Sequence, residues 1–187
     1  MGKVVLYMQM SLDGVVGDVD KWATISDEIM NQSDKRYDDI AISIYGGNTY
    51  PGMAEYWQDA EKNSADPLEK AFAKKINDKD KLVVSRSPKE LTWRNSQQLF
   101  FKDADSFRKE IGQLKKDNPK DIVVESGAGM WQLFIKHNLF DELHINVHPV
   151  IAGEGDKLFE TGLDKTNLKL EGSNMIGNGV LELRYSK

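Results

Sequence analysis

The stretch from residue 122 to residue 159 most constrains what this chain can fold into. It reads Ile122-Val123-Val124-Glu125-Ser126-Gly127-Ala128-Gly129, then a helix-periodic apolar segment, then Asp141-Glu142-Leu143-His144-Ile145-Asn146-Val147-His148-Pro149-Val150. A β-branched run, a small-residue turn, an amphipathic helix and a second β-branched run follow in that order. The turn lets backbone come close to a ligand, and the helix after it offers unpaired N–H groups suited to a phosphate. The segment therefore reads as half of a dinucleotide site rather than plain scaffold.

The rest of the chain repeats the alternation. Residues 3–10 read as a buried first strand, followed by the loop Ser11-Leu12-Asp13-Gly14-Val15-Val16-Gly17-Asp18. Ser26 can cap a helix over 27–37, with Asp27 and Glu28 suiting the positive end of its dipole. A second strand over 39–45 ends at Gly46-Gly47, and Thr49-Tyr50-Pro51 opens a further helix, where proline is tolerated. The spacing predicts a polar helix over 66–77, a strand over 81–85, a short strand at Leu99-Phe100-Phe101 and a helix over 104–116. Strand 121–125, helix 128–137 and strand 142–150 come next. Residues 168–172 and 179–186 pair as a hairpin around Gly177-Asn178-Gly179. Strands alternating with helices predict an α/β fold in one domain over 1–187: a mixed, mostly parallel sheet with helices on both faces and a C-terminal antiparallel hairpin at its edge.

Composition narrows the function. The 25 basic and 30 acidic side chains give a net charge of −5, which disfavours a nucleic-acid surface and requires any positive charge for a phosphorylated ligand to be local. The chain has no cysteine, so disulfides, thiol nucleophiles and cysteine-ligated metals are excluded and a reducing cytoplasm suits it. The N-terminal apolar run is too short for a signal peptide or a membrane span. His144 and His148 have the look of a metal pair, but four residues of strand separate them by roughly 13 Å. No metal site is expected.

In open α/β sheets, ligands lie beyond the carboxyl ends of the strands. Four strand exits here carry small or hydroxyl residues, at 11–17, 46–49, 85–87 and 126–129. Gly46, Gly47 and Thr49 suit a phosphate at a helix start, or equally an ordinary capped helix. Ser85, Arg86 and Ser87 offer two hydroxyls and a guanidinium to a phosphate monoester, or form a solvated turn before Pro88. Ser126, Gly127, Ala128 and Gly129 fall short of the full dinucleotide fingerprint but can cradle a pyrophosphate through backbone. Val16 and Gly17 lie in a loop that could close over a nicotinamide ring. Asp27 and Glu28 could supply a proton to a substrate nitrogen, or only complement the helix dipole.

Taken together, the four exits resemble the dihydrofolate reductase-like family, in the branch shared with the reductase domain of bacterial riboflavin biosynthesis. The residues that carry the resemblance are Ser11-Leu12-Asp13-Gly14, Gly46-Gly47-Asn48-Thr49-Tyr50, Val84-Ser85-Arg86-Ser87, Leu139-Phe140-Asp141-Glu142-Leu143, and Pro149-Val150 with Gly153-Glu154-Gly155-Asp156-Lys157-Leu158-Phe159. Order and spacing match over nearly the whole chain. Two positions depart: Gly47 stands where the family usually has an arginine that helps read the 2′-phosphate, and Ser126 stands where a glycine is usual.

The resemblance implies a three-layer α/β/α fold and an NADPH-dependent oxidoreductase acting on a small heterocyclic or carbonyl substrate. The riboflavin-type reaction reduces a ribosyl chain to a ribityl chain on an aminopyrimidine phosphate. It also implies that Thr49 touches the phosphate bridge or the nicotinamide side, that Ser85, Arg86 and Ser87 hold the adenosine 2′-phosphate, and that Gly127, Ala128 and Gly129 cradle the pyrophosphate. Asp27, five residues after Trp22, is the candidate catalytic acid. A homodimer is expected, since relatives in this branch often pair. Rival readings are a dihydrofolate or pterin reductase and, in another class, a nucleotide-binding protein without catalysis.

Overall fold

A computed structural model describes residues 1–159 and 163–187. Its strands are β1 (Val4–Ser11), β2 (Ile40–Gly46), β3 (Asp80–Val84), β4 (Ser96–Leu99), β5 (Asp121–Val124), β6 (Glu142–His148), β7 (Lys169–Ile176) and β8 (Val180–Ser186). The helices are α1 (Asp27–Arg36), α2 (Tyr50–Asn63), α3 (Pro67–Asp78), α4 (Ala104–Asp117) and α5 (Ala128–Lys136). All eight strands join one sheet in the order β4-β3-β2-β5-β1-β6-β8-β7. The first six run parallel, and β8 and β7 are antiparallel, as the alternation of elements predicts.

The two faces of the sheet bury different chemistry. On one, Val4, Leu6 and Met8 of β1, Ile122 and Val124 of β5, and Leu143 and Ile145 of β6 pack under Phe107 and Ile111 of α4 and Trp131 and Phe134 of α5. On the other, Tyr45, Val83 and Val123 meet Tyr50 and Ala54 of α2, Phe72 and Ile76 of α3, and Tyr37 after α1. Toward β2 and β3 this second face is mostly aromatic and apolar, with Ser43 and Lys81 buried in it. Toward β1, β6 and β8 it carries Gln9, His144, Asn146, His148 and Glu182, of which Asn146, His148 and Glu182 are buried.

Three strands differ from the sequence reading by more than one residue. The strand expected at 99–101 is Ser96–Leu99, because Ser96 to Leu99 pair in register with Lys81 to Val84. Phe101 leaves the ladder to stack on Phe107, with ring centroids 4.7 Å apart. The strand expected over 142–150 ends at His148, before Pro149, which has no N–H for a ladder bond. The hairpin's first strand runs to Ile176 rather than stopping at 172. Its turn is as expected, with positive φ at Asn178 (60°) and Gly179 (75°).

Candidate active site

Three of the four strand exits meet at one rim through short contacts. The Gly127 N–H donates to the Thr49 hydroxyl at 3.1 Å, joining the β5 exit to the start of α2. The Gly46 N–H donates to the Ser126 hydroxyl at 2.8 Å, and that hydroxyl lies 3.4 Å from Thr49 Oγ1. Ser126 thus pins the phosphate-loop position to the β2 exit. The β3 exit is equally close, because a Cβ added at Gly47 would lie 2.8 Å from Ser85 Cβ and Oγ. Ser87 folds back to donate its N–H to Ser85 Oγ at 3.2 Å. Arg86 and Ser87 are exposed, and the Arg86 guanidinium sits 5.5 Å from the Phe101 ring centroid.

Helix capping separates this rim from the rest of the molecule. Helices α1, α3 and α4 begin with side-chain caps from Ser26, Asp66 and Asp103. Helices α2 and α5, whose starts face each other across the Thr49–Gly127 bond, have none. The Thr49 hydroxyl accepts from Gly127 instead of capping its own helix. Among the described residues, the N–H groups of Ala128 and Gly129 have no acceptor. Two positive helix ends without side-chain caps beside one gap make a site for an extended anion.

The loop after β1 closes the rim's other end and is firmly held. The Asp13 carboxylate accepts from the Ser11 hydroxyl at 2.7 Å and from the N–H groups of Ala152 and Gly153 at 2.9 and 3.0 Å. Those three bonds, the Ser11 hydroxyl first, pull its pKa down to about 2. The Val16 N–H donates to the Asp156 carbonyl at 2.8 Å, and the Val16 side chain is 2% exposed within the core. The Gly17 carbonyl accepts from the Trp22 indole at 2.8 Å. Two of the sequence motifs, Ser11-Leu12-Asp13-Gly14 and the glycine-bearing 150–159 stretch, are therefore the two halves of one bonded loop pair.

Asp27 is not drawn into this assembly. It lies exposed in the first turn of α1, and no described hydrogen bond involves its side chain. Glu28 is also exposed; a Cβ at Gly177 would collide with its carboxylate, so the β7–β8 turn lies against the start of α1.

Beside the rim, on the α1 side of the sheet, lies a polar floor that the motifs do not announce. Strand register sets Tyr7 beside His144 and Gln9 beside Asn146, which in turn pairs with Glu182. The Tyr7 hydroxyl is the hub: it receives Gln9 Nε2 at 2.8 Å and Asn146 Nδ2 at 2.9 Å, and lies 3.3 Å from Ser33 Oγ of α1. The Arg36 guanidinium stacks 3.1 Å from the Tyr7 ring centroid. His148 lies 2.8 Å from Gln9 Oε1 and meets the Trp22 ring edge-on. Burial lowers the pKa of both His144 and His148, which favours the neutral imidazole. Asn146 Oδ1 is buried with no partner among the described residues.

Glu125, the last residue before the phosphate-loop position, faces the same side. Its carboxylate pairs with Arg36 at 3.1 Å and accepts from the Tyr37 hydroxyl. Burial raises the Glu125 carboxyl above the usual carboxylate range, against the opposing pull of Arg36. It also drives the Tyr37 and Tyr45 phenols well up, with Glu125 adding to both. Glu125, Tyr7, Gln9 and Asn146 escaped the sequence reading. The only signal available was polar residues alternating within otherwise apolar strands.

Known proteins resemble the chain over nearly its whole length. The family model described as the RibD C-terminal domain matches residues 2–181. The chain is similar to the uncharacterized protein YyaP of Bacillus subtilis (strain 168), 31% identical over 187 residues, 98% of this chain and 94% of that one. Among solved structures it resembles a pyrimidine reductase-like protein from Corynebacterium diphtheriae, with TM-score 0.68, 13% identity and coverage of 99% and 91%. It also resembles dihydrofolate reductase from Enterococcus faecalis complexed with NADP(H), with TM-score 0.62, 13% identity and coverage of 99% and 96%. Those two likenesses establish the dihydrofolate reductase-like fold.

Proposed function

The chain belongs to the RibD C-terminal domain family, and from that premise we propose that it is an NADPH-dependent reductase of a small heterocyclic or carbonyl substrate. The observation that carries this reading is the convergence of Thr49, Ser126 and Gly127 between the uncapped starts of α2 and α5. The donor set fits an extended diphosphate, because backbone N–H groups and hydroxyls, not long side chains, line the gap. Gly127 keeps the gap open, since a Cβ there would press on Thr49 Oγ1 at 3.1 Å. NADPH, when bound, supplies hydride.

The chain's own residues position the reactants. Thr49, Ser126, Ala128 and Gly129 hold the pyrophosphate, and Ser85, Arg86 and Ser87 hold the 2′-phosphate. The backbone of Val16 and Gly17, fixed by Asp156 and Trp22, would wall the nicotinamide end and exclude water. The half-buried Tyr7 and Gln9 would face the substrate, with Asn146 buried beneath them and its Oδ1 without a partner among the described residues. Two carboxyls can supply a proton: Asp27 from solvent, and Glu125, whose carboxyl burial pushes up against the pull of Arg36. Glu125 is favoured by its place directly before the phosphate-loop position, on the side of the polar floor. The absence of cysteine suits the reducing cytoplasm in which such a reductase would work.

Titration with NADPH and NADH, followed by tryptophan fluorescence, tests the cofactor half. Trp22 at the loop should respond to NADPH. Absorbance loss of NADPH with a panel of carbonyl- and imine-bearing heterocycles tests the rest. Absence of binding by either dinucleotide would remove the reductase reading. With a turned-over substrate in hand, Glu125→Gln should flatten the pH profile of kcat, while Asp27→Asn leaves it unchanged; the reverse pattern would reassign the acid.

A further inference from the structure

We infer that Lys89, not residue 47, supplies the second cation for the adenosine 2′-phosphate, its stem crossing a space that exists only because residue 47 is glycine. The inference rests on the reductase reading above and names a residue of the same cofactor site.

Three contacts build it. A Cβ at Gly47 would lie 2.8 Å from Lys89 Cε as well as 2.8 Å from Ser85 Cβ and Oγ. The lysine stem therefore passes over the bare backbone of residue 47, with its Cε and the Ser85 hydroxyl on the same small volume. Second, the loop that carries it is clamped. Gln98 on the edge strand β4 accepts from the Lys89 N–H at 3.0 Å and donates to the Ser87 carbonyl at 2.7 Å. One amide thus fixes both ends of the turn that presents Arg86, Ser87 and Lys89. Third, neither Arg86 nor Lys89 joins an ion pair among the described residues, whereas Arg36, Lys75, Arg94 and Lys115 elsewhere are each held by a carboxylate. Two such cations, two serine hydroxyls and a preorganised backbone on one clamped turn match the donors a phosphate monoester takes.

The arrangement also explains why an arginine at position 47 is dispensable in this chain. Its Cβ would occupy the volume that Lys89 and Ser85 already fill, so the two solutions exclude each other. Lysine binds as a point charge rather than a fork. Discrimination should therefore depend on ionic strength more steeply than a bidentate contact would.

The test is dissociation constants for NADPH and NADH, measured by fluorescence on the intact wild-type chain, Lys89→Met and Gln98→Ala, with thermal melting of each. Methionine keeps the stem over Gly47 and removes the charge. Lys89→Met should weaken NADPH by about tenfold and leave NADH unchanged, with an unaltered melting temperature. Gln98→Ala should weaken NADPH in the same direction by a smaller factor, because the turn is no longer held. Equal losses for both dinucleotides in Lys89→Met, or no loss for either, would overturn this inference and leave the reductase reading standing. Failure of the wild-type chain to bind either dinucleotide would overturn both.

Discussion

Where the β2 and β5 exits meet at the rim, the joining contacts are made by backbone or by a hydroxyl close to it. On the floor, the contacts are made by long side chains projecting from the middle of strands. Gly127 to Thr49 and Gly46 to Ser126 fix the first region. The Tyr7 hydroxyl with Gln9, Asn146 and Ser33 fixes the second. The difference teaches a division of labour. A phosphate chain is the same in every dinucleotide and can be held by main-chain geometry, whereas a substrate is distinguished by the pattern of donors and acceptors that particular side chains present. Rim variants should move cofactor affinity and leave substrate preference alone; floor variants should do the opposite.

The largest effect expected is at Gly127. Its Cβ would sit 3.1 Å from Thr49 Oγ1, so Gly127→Val forces the threonine and the start of α5 apart. NADPH binding should fall by about a hundredfold or more in a direct titration, since both helix starts lose their alignment on the phosphates. Tight binding in that variant would break the assignment of the rim. On the floor, Tyr7→Phe removes the hub and strands two amides and a hydroxyl. Stability should drop by about 1–3 kcal/mol in urea unfolding. Substrate KM should rise while the NADPH dissociation constant stays put; a parallel change in both would erase the distinction between the regions.

Arg86→Ala sharpens the comparison within the rim. NADPH should weaken by about tenfold and NADH hardly at all. Equal losses would mean the exposed guanidinium does not read the 2′-phosphate.

The smallest effect is in pH dependence, and it belongs to the floor. Burial depresses the pKa of His148 below its ordinary 6.5, so the unfolded chain takes up a proton that the folded chain refuses. The stabilisation is present above about pH 6.5 and is lost as pH falls through the folded value. His144 acts in the same sense, again through burial first. His148→Gln keeps a donor for Gln9 and should flatten the fall in melting temperature between about pH 6.5 and 5. A loss of stability with rising pH over that window would reverse the sign and exclude this account.

Much of the rim was legible in the chain itself. Glycines and hydroxyls at the ends of β-branched runs need no partner to be noticed, because their meaning is local: a turn, a cap, a close approach. Gly46, Thr49, Ser85, Ser126 and Gly127 do meet as their positions suggested. Val16 was legible as loop but not as core, since its burial depends on Asp156 and on the helices across the sheet. Asp27 looked plausible for its spacing from Trp22, yet the start of α1 faces solvent at that residue. Tyr7, Gln9 and Asn146 gave no warning, being odd polar residues in separate strands, 139 positions apart between Tyr7 and Asn146.

What the sequence determined by itself was the alternation of strand and helix, the turn chemistry at each strand exit and the local freedom of Gly47 and Gly127. These follow from patterns a few residues long, which act before any distant segment is in place. Only the tertiary structure decided that β1 lies between β5 and β6 and in which register. That decision brought Tyr7 to Asn146, Glu125 to Arg36 and Lys89 over Gly47. Such contacts join residues whose separation along the chain carries no periodic signal, so they exist only once the sheet has chosen its strand order.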